Sequence, residues 1–371
     1  MPSQLHEVRT LSNVAAIGYV CLYDHNWQAL GKWSQHLAKS WSINRKAFEL
    51  DEFQVECQGF ENSKNACFAV LHGPTGQVKY ASFCGIPVTK NGLTQITGID
   101  CRSIFNQEVL VDYTRRDQGG SYYARSVSTL FEYLMSQVLV DRGIKSQLGI
   151  DYTLDLDDLS FMSEDWDEDY IVRSAEVRNV WKELMAACHC YNVVITTSIQ
   201  VDNENNVYKL KFKVAREIYE RRLKLSDYDV VMRLNQNIIN RAIYCSTASP
   251  TTQYKLFLYN DNTIGTTYDA NKALFPPVTK TFMEDDIDEA RSNAYKELND
   301  SRYKDRVTID LNSKLGSTLR DLDFTYYGVL VGYNPADSSS DKKLPVCGLY
   351  EDHEGTKKIQ FGRLSEYWFM D

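Results

Sequence analysis

The first third of the chain alternates apolar and polar residues in short runs that end at glycine, proline or asparagine. Residues 66–72 and 78–84 are joined by a Gly-Pro-Thr-Gly loop, which is typical of a β-hairpin. A third strand is predicted over 93–101, after an Asn-Gly turn, and a fourth over 108–113. Together these runs predict a small antiparallel barrel or sandwich.

Two helices are predicted in the next part of the chain. Apolar residues recur at helical spacing from Val127 to Leu139, and Gly143 supplies a C-terminal stop. A second helix is predicted to begin at Ser174 as the N-cap, with Glu176 in its first turn. Its apolar face would consist of Val177, Val180, Trp181, Leu184, Met185 and Cys188.

A strand hairpin is predicted directly after the second helix. Residues 193–201 and 207–214 alternate with period two on either side of an Asp-Asn-Glu-Asn-Asn turn. Because Lys209, Lys211 and Lys213 share one side of the second strand, we expect that face to be basic and exposed to water.

The last part of the chain returns to β character around one further helix. The helix is predicted over 285–298, with acidic residues at its start. A polar loop is expected over 334–343. The strands expected in this part are 238–245, 254–259, 306–311, 326–333, 346–350, 357–361 and 365–370.

These elements predict a multi-domain α+β protein with two small antiparallel β barrel-like domains and two α/β insertion domains. A chain of 371 residues exceeds the roughly 100–150 residues that one core usually organises. We expect an N-terminal β domain at 1–118, an α+β domain at 119–225, a returning β segment at 226–275 and a helix-led β domain at 276–371.

Composition and charge narrow the classes of function. Hydrophobic residues make up 43% and charged residues 25%, as in ordinary globular proteins. The net charge of −9 disfavours a dedicated DNA- or RNA-binding protein, because the mean field repels phosphate. The sequence shows no signal peptide and no spanning segment, so no membrane anchor is expected. Nine scattered cysteines indicate reduced thiols, as after synthesis in a cytoplasm.

An acidic run over 155–169 is the most obvious candidate for chemistry. It lacks the spacing and the glycine of a calcium-binding loop, so a solvated acidic loop is the favoured interpretation. A pair of carboxylates acting as a glycosidase is the alternative. The run consists of Asp155, Asp157, Asp158, Glu164, Asp165, Asp167, Glu168 and Asp169.

Other reactive residue types occur without the context that catalysis or binding needs. Cys188-His189-Cys190 has metal-ligand types, but no second pair stands nearby, so core packing of Cys188 is favoured. The six histidines lie in no hydrolase motif, and phosphate-binding glycine loops do not occur. We therefore predict no catalytic, cofactor-binding or metal-binding residue, no cofactor and no enzymatic activity.

Two features favour contacts with other proteins. A basic stretch with Arg216, Arg221, Arg222 and Lys224 is interleaved with Tyr219 and Leu223 and is interpreted as a salt-bridged interface. Tyrosine is abundant, with 24 residues, and is enriched at protein interfaces. Packing at sheet edges explains much of the same tyrosine count.

The order of elements resembles that of the tail hub or tail-associated (Tal) proteins of siphophages, which are similar to hub proteins of contractile tails and type VI spikes. The segments that carry the resemblance are 96–100 (ITGID), 239–243 (INRAI), 290–298 (ARSNAYKEL) and 307–311 (VTIDL). The resemblance implies a virion protein of the phage tail tip or baseplate, made in the host cytoplasm and active in host infection.

In that family, the resemblance further implies a homotrimer whose β domains form a ring on the distal tail protein. Partners would include receptor-binding and other baseplate proteins and the tape measure protein. The helical insertions would close the channel and swing apart for DNA ejection, when phage DNA passes transiently. Because the chain stops at Asp371 after a predicted strand, a short closing hub is expected.

Two alternatives stay open at this point. One is a carbohydrate-binding adhesin of the tail tip that uses Trp166, Trp368 and tyrosines as sugar platforms. The other is a cell-wall hydrolase that uses the acidic residues 155–169.

Overall fold

Antiparallel strands make up most of the first part of the chain. The computed structural model describes residues 17–30, 37–58, 65–111, 127–140, 151–159, 176–191, 193–202, 207–216, 218–233, 239–260, 263–301, 306–312, 315–332 and 341–362. The first nine strands are Tyr19–Tyr23 (β1), Ala29–Leu30 (β2), Ala38–Lys46 (β3), Glu52–Gln58 (β4), Phe68–His72 (β5), Val78–Cys84 (β6), Val88–Lys90 (β7), Leu93–Ile99 (β8) and Glu108–Val111 (β9). The predicted hairpin at 66–84 is confirmed as β5 and β6.

The middle of the chain combines two helices with short strands. Its elements are Val127–Leu139 (α1), Tyr152–Asp155 (β10), Glu176–Asn179 (β11), Val180–Tyr191 (α2), Val193–Asp202 (β12), Val207–Arg216 (β13), Tyr219–Lys224 (β14) and Val230–Arg233 (β15). The predicted first helix is confirmed as α1, and the predicted hairpin after the second helix is confirmed as β12 and β13.

The last part contains the third helix and eight strands among the described residues. They are Arg241–Ser246 (β16), Tyr254–Leu258 (β17), Ile264–Gly265 (β18), Thr279–Glu284 (β19), Ile287–Ser301 (α3), Arg306–Asp310 (β20), Tyr326–Val331 (β21), Lys342–Asp352 (β22) and Lys357–Phe361 (β23). The helix predicted over 285–298 is thus confirmed within three residues at each end. The strand predicted over 365–370 lies outside the described residues, as does most of the polar loop at 334–343.

The start of the second helix was predicted wrongly. The residues after the predicted cap were expected to be helical, but residues 176–179 form β11, which pairs antiparallel with β9. The helix begins at Val180, where the side chain of Asn179 accepts a hydrogen bond from the backbone N–H of Lys182 (3.1 Å) and acts as the N-cap. Val177, which was expected on the buried face, is 65% exposed. The predicted cap Ser174 lies outside the described residues.

One open sheet of fourteen strands joins the two ends of the described chain. Its main order is β15-β20-β23-β22-β3-β4-β8-β6-β5-β1-β2, with β7, β14 and β21 attached at the sides. The join is the antiparallel pairing of β22 with β3, from Gly348 opposite Lys46 to Asp352 opposite Ser42. The predicted α+β class is confirmed. The pairing of the described strands closes no barrel, so the barrel-like shape of the two β domains is not confirmed.

Three apolar cores lie on these sheets. The largest packs α1 and α2 against β12 and β13 and continues to the strands of the last part. A second lies on the other side of the first strands, around Phe53, Leu71 and Ile96. The third lies beneath α3, whose Ala290, Ala294 and Leu298 pack on the four-stranded sheet β18-β17-β16-β19. The small alanines allow that helix to approach the sheet closely.

Candidate functional surfaces

The described part of the acidic run is held by lysines. Strand β10 lies parallel to β13, so that carboxylates from the first meet ammonium groups from the second. Lys211 Nζ lies 2.6 Å from an Asp155 oxygen, and Lys213 Nζ lies 3.2 Å from an Asp158 oxygen. The basic face of β13 is therefore partly exposed to water, as expected, and its lysines also pair with carboxylates.

This pairing leaves Asp155 poorly suited to general-acid chemistry. The hydrogen bond from Lys211 lowers the pKa of Asp155, and the hydrogen bond with Asp158 raises the pKa of Lys213. A glycosidase needs one carboxyl group that stays protonated, which requires a raised pKa. The other acids of the run, from Glu164 to Asp169, lie outside the described residues.

The remaining residues with reactive side chains have structural surroundings. Cys188 is fully buried in the core of α2, as predicted, whereas the side chains of His189 and Cys190 lie outside the described ones. The described residues contain no group of three or more His, Cys, Asp or Glu that could hold a metal ion. Among histidines, His72 stacks on Tyr19, with ring centroids 4.8 Å apart.

The basic stretch contacts described residues between 326 and 343 in the last part of the chain. Strand β14 pairs in parallel with β21, and Arg222 forms an ion pair with Asp341 at 2.6 Å. Glu220 precedes the two arginines of this strand in sequence. It accepts hydrogen bonds from Tyr327 (3.0 Å) and Lys343 (3.4 Å). The salt-bridged character expected of this stretch is therefore found within the chain itself.

The described tyrosines include pairs that pack across strands and others that are exposed. Tyr219 and Tyr326 face each other across β14 and β21, and Tyr244 stacks on Tyr254 across β16 and β17. These pairs stabilise the sheets. Tyr268, by contrast, is 56% exposed.

A buried arginine lies where the first sheet meets the helical part of the chain. Arg102 is 2% exposed, and it belongs to a 3-10 turn, Cys101–Phe105, that begins directly after β8. The side chain of Asp100 caps this turn by accepting a hydrogen bond from the Arg102 backbone N–H (2.8 Å). The cap fixes both charged side chains next to each other.

The Arg102 side chain joins three parts of the fold. Its Nε donates to Asp100 (2.8 Å) and its Nη2 donates to Asp51 (2.6 Å) in the loop before β4. Its Nη1 donates to the carbonyl of Ile195 in β12 (3.1 Å), and its guanidinium lies 5.5 Å from the Trp181 ring of α2. The Tyr80 hydroxyl donates a hydrogen bond to Asp51 (3.0 Å). We call Arg102, Asp51, Asp100 and Tyr80 the buried charge cluster.

The two carboxylates of the buried charge cluster share one guanidinium. Burial raises the pKa of Asp51 to about 6, the Arg102 charge opposes this rise and the neighbouring Asp100 adds to it. Burial opposes the charge of Arg102, but the two carboxylates outweigh burial and raise its pKa above the usual value. Arg102 therefore stays charged, and Asp51 is the group that can take up a proton.

Ion pairs at the surface connect the first and last parts of the sheet. Lys79 of β6 forms an ion pair with Glu351 of β22, which Lys357 also approaches to 3.4 Å. The Lys79 ammonium lies 4.6 Å from the Trp41 ring centroid, and Arg45 donates a hydrogen bond to the Lys79 carbonyl (2.6 Å). These contacts adjoin a cleft of about 470 Å³ above the buried charge cluster. Lys79 and Arg45, which line this cleft, thus already contact other segments of the chain.

Sequence reasoning missed the buried charge cluster. The Asp-Cys-Arg run at 100–102 looks like a surface pair, since charged residues are rarely buried. The four segments that carried the family resemblance lie in regular elements, namely β8, β16, α3 and β20. The first of them ends at Asp100, so that segment leads directly into the cluster.

Comparison of the fold with solved structures finds tail proteins over nearly the whole chain. The tail protein from Neisseria meningitidis MC58 matches with a TM-score of 0.51 and 11% identity, over 93% of this chain and 96% of that one. The prophage tail protein gp18 from Listeria monocytogenes EGD-e matches with a TM-score of 0.50 and 10% identity, over 94% and 95%. A chain of the phage P2 baseplate in its activated conformation with Ca gives a TM-score of 0.48 and 11% identity, over 94% and 100%.

The chain has the fold of phage tail proteins. The resemblance predicted from its sequence, to the tail hub and baseplate proteins of phages, is confirmed at the level of the fold. No protein-family model and no curated protein matches the sequence. None of the helices in the described residues has both the length and the apolar content needed to span a bilayer.

Proposed function

We propose that this chain is a non-enzymatic structural subunit of a phage tail tip or baseplate. In this role it forms a homotrimeric hub, docks on the distal tail protein, closes the tail channel and opens it for DNA ejection. The observation that carries the proposal is the fold shared with two tail proteins over at least 93% of each chain. Because the match covers nearly all of both chains, the similarity extends to the whole fold and is not confined to one domain.

The way the described chain is held together supports a mechanical role. Its two ends are joined in one sheet through β22 and β3, and charged side chains reinforce the join. Such a frame transmits load between subunits without local unfolding, because its central strands are paired on both sides. In the proposed hub, the four-domain division given above places a β domain at each end of the helical part.

The electrostatics also suit a channel component. A net charge of −9 gives a mean field that repels phosphate, so DNA passing such a wall would not adhere to it. The proposed hub would be a virion protein that contacts the tape measure protein and other baseplate or receptor-binding proteins.

The adhesin and the hydrolase have less support. Trp166 and Trp368, the proposed sugar platforms, lie outside the described residues. For the hydrolase, the hydrogen bond from Lys211 lowers the pKa of Asp155, which favours an ionised carboxylate over a general acid. We therefore keep the structural hub as the conclusion.

The experiment that tests the proposed function is a mass measurement in solution. Sedimentation equilibrium of the purified chain should give three times the mass of a single chain, and a larger complex should form with the distal tail protein of the same phage. As a matched control, cell-wall material incubated with the trimer should release no soluble sugar or peptide. A stable monomer that releases such products would contradict the proposal.

A further inference from the structure

One face of the four-stranded sheet β18-β17-β16-β19 is covered by α3. The opposite face carries the basic residues Arg241 and Lys255. Alternation along the strands places Ala242, Tyr244, Leu256 and Leu258 in the core beneath the helix. The neighbouring positions point the other way. We call these the outer face, which consists of Arg241, Ile243, Lys255, Phe257, Thr279, Thr281 and Met283.

An arginine of the outer face, at the start of β16, lies against two aromatic rings. The Arg241 guanidinium carbon is 5.4 Å from the Phe257 ring centroid and 5.9 Å from that of Tyr268. The two rings also contact each other edge to face, with centroids 5.7 Å apart. Cation–π contacts of this kind orient a guanidinium while leaving its N–H groups available.

One nitrogen of the Arg241 guanidinium has no hydrogen-bond partner within the described chain. Its Nε is buried and has no hydrogen-bond partner there. Most buried polar groups in proteins are hydrogen-bonded, so this nitrogen is an exception. Because it is shielded from outside groups, a ligand from another molecule would bind the two Nη nitrogens instead. A guanidinium fork matches a carboxylate, which it can bind with two parallel hydrogen bonds.

The outer face has the opposite charge to the chain as a whole. Lys255 lies diagonally across from Arg241, and neither side chain has a carboxylate partner among the described residues. Thr279 and Thr281, the exposed neighbours on β19, are uncharged. The chain as a whole carries nine more acidic than basic side chains, so another copy of it offers carboxylates in excess.

We propose that the outer face binds carboxylate side chains on a second copy of this chain. The inference rests on the proposed function, in which copies assemble into a trimer. Charge complementarity favours this occupant, because a cationic face on an acidic protein attracts its own copies through a different surface. Such a heterologous contact forms a ring when the rotation that relates successive copies closes on itself, as in the proposed trimer.

The composition of the outer face agrees with this occupant. Arginine, tyrosine, phenylalanine and methionine are the residue types enriched where interfaces are fully buried. Met283 and Tyr268 are 54% and 56% exposed in the single chain, so their apolar surface would be buried on assembly. Nucleic acid is the less favoured ligand for Arg241 and Lys255, since the net charge of −9 repels phosphate.

The test is sedimentation equilibrium of the full chain and of Arg241→Glu over a range of concentrations. Reversing the charge of Arg241 should raise the dissociation constant of the trimer on the order of 100-fold, because it places like charges together in the interface. Arg320→Glu makes the same charge change at an exposed arginine outside the outer face and should leave the trimer intact. Circular dichroism identifies variants that have failed to fold.

A second variant keeps the proposal open to refutation if Arg241→Glu unfolds. Thr281→Glu adds a negative charge at an exposed position of β19 and should also weaken the trimer. If both folded variants form trimers as tightly as the unchanged chain, the outer face is not the contact, although the proposed function survives. If the unchanged chain is a monomer, both proposals fail. Binding of duplex DNA that Arg241→Glu abolishes would overturn the carboxylate partner in favour of phosphate.

Discussion

Arg102 illustrates how a single side chain can hold several parts of this molecule in place. Its hydrogen bonds reach two carboxylates and the carbonyl groups of Ala47, Glu49 and Ile195. Since no other side chain has five donors in a planar fork, a lysine at this position would leave acceptors unpaired. The position is therefore specific for arginine.

Replacing Arg102 by methionine should destabilise the protein strongly. The change keeps most of the side-chain volume but leaves Asp51 and Asp100 buried without a counter-charge, which costs about 3–5 kcal/mol in comparable cases. Urea denaturation followed by circular dichroism would measure the loss. Arg320→Met at an exposed position should change stability by about 0.5 kcal/mol or less. Adding Asp51→Asn and Asp100→Asn to Arg102→Met should recover part of the loss, and a failure to recover any would contradict the shared-charge interpretation.

Asp51 should make the stability of the protein depend on pH. Its pKa in the folded state, about 6, lies above its ordinary value of 3.8, so the folded protein holds a proton that the unfolded chain releases between these values. The stability contributed by this proton is complete below about pH 4 and is lost as the pH rises through 6. Asp51→Asn cannot ionise. Urea midpoints measured from pH 4.5 to 7.5 should therefore show the unchanged protein losing stability relative to Asp51→Asn as the pH rises, and a constant difference would refute this.

At the scale of elements, hydrophobic periodicity predicted most helices and strands correctly, and tertiary pairing explains the exception. Helix α1 and the hairpin β12-β13 follow directly from spacing within the sequence. The start of α2 does not, because residues 176–179 are recruited as a strand by β9, which lies about 65 residues earlier. A pattern within one segment carries no information about a distant strand that needs a partner.

The candidate sites were less predictable than the elements for a related reason. The acidic run at 155–169 stood out in sequence, yet Asp155 and Asp158 acquire their role from lysines on a strand that begins about 50 residues later. Asp100 and Arg102 did not stand out, because burial and bonding to Asp51 arise only when β8 meets the loop before β4. The partners and the burial of these charged residues thus depend on which elements pair in the fold, and composition alone does not reveal this pairing.

At the scale of the whole molecule, the path of β22 determines how the described chain is joined. Its first half pairs with β21, and after a shift of register between Val346 and Gly348 its second half lies between β23 and β3. The second half of the strand is therefore central in the sheet and is hydrogen-bonded on both sides. Its second half is the connection through which the last part of the chain supports the first.

This connection predicts that the two ends of the chain lose protection together. Leu349 lies opposite both Ile359 of β23 and Arg45 of β3, so Leu349→Pro removes a ladder hydrogen bond and inserts a ring into a central strand, at a cost of about 3 kcal/mol or more. Amide hydrogen exchange should then accelerate in β4 as well as in β23, although β4 is nearly 300 residues away in sequence. Val88→Pro in the exposed edge strand β7 should accelerate exchange only locally. If β4 kept its protection in Leu349→Pro, the first part of the sheet would be stable by itself, and the continuous frame that supports a load-bearing role would have to be abandoned.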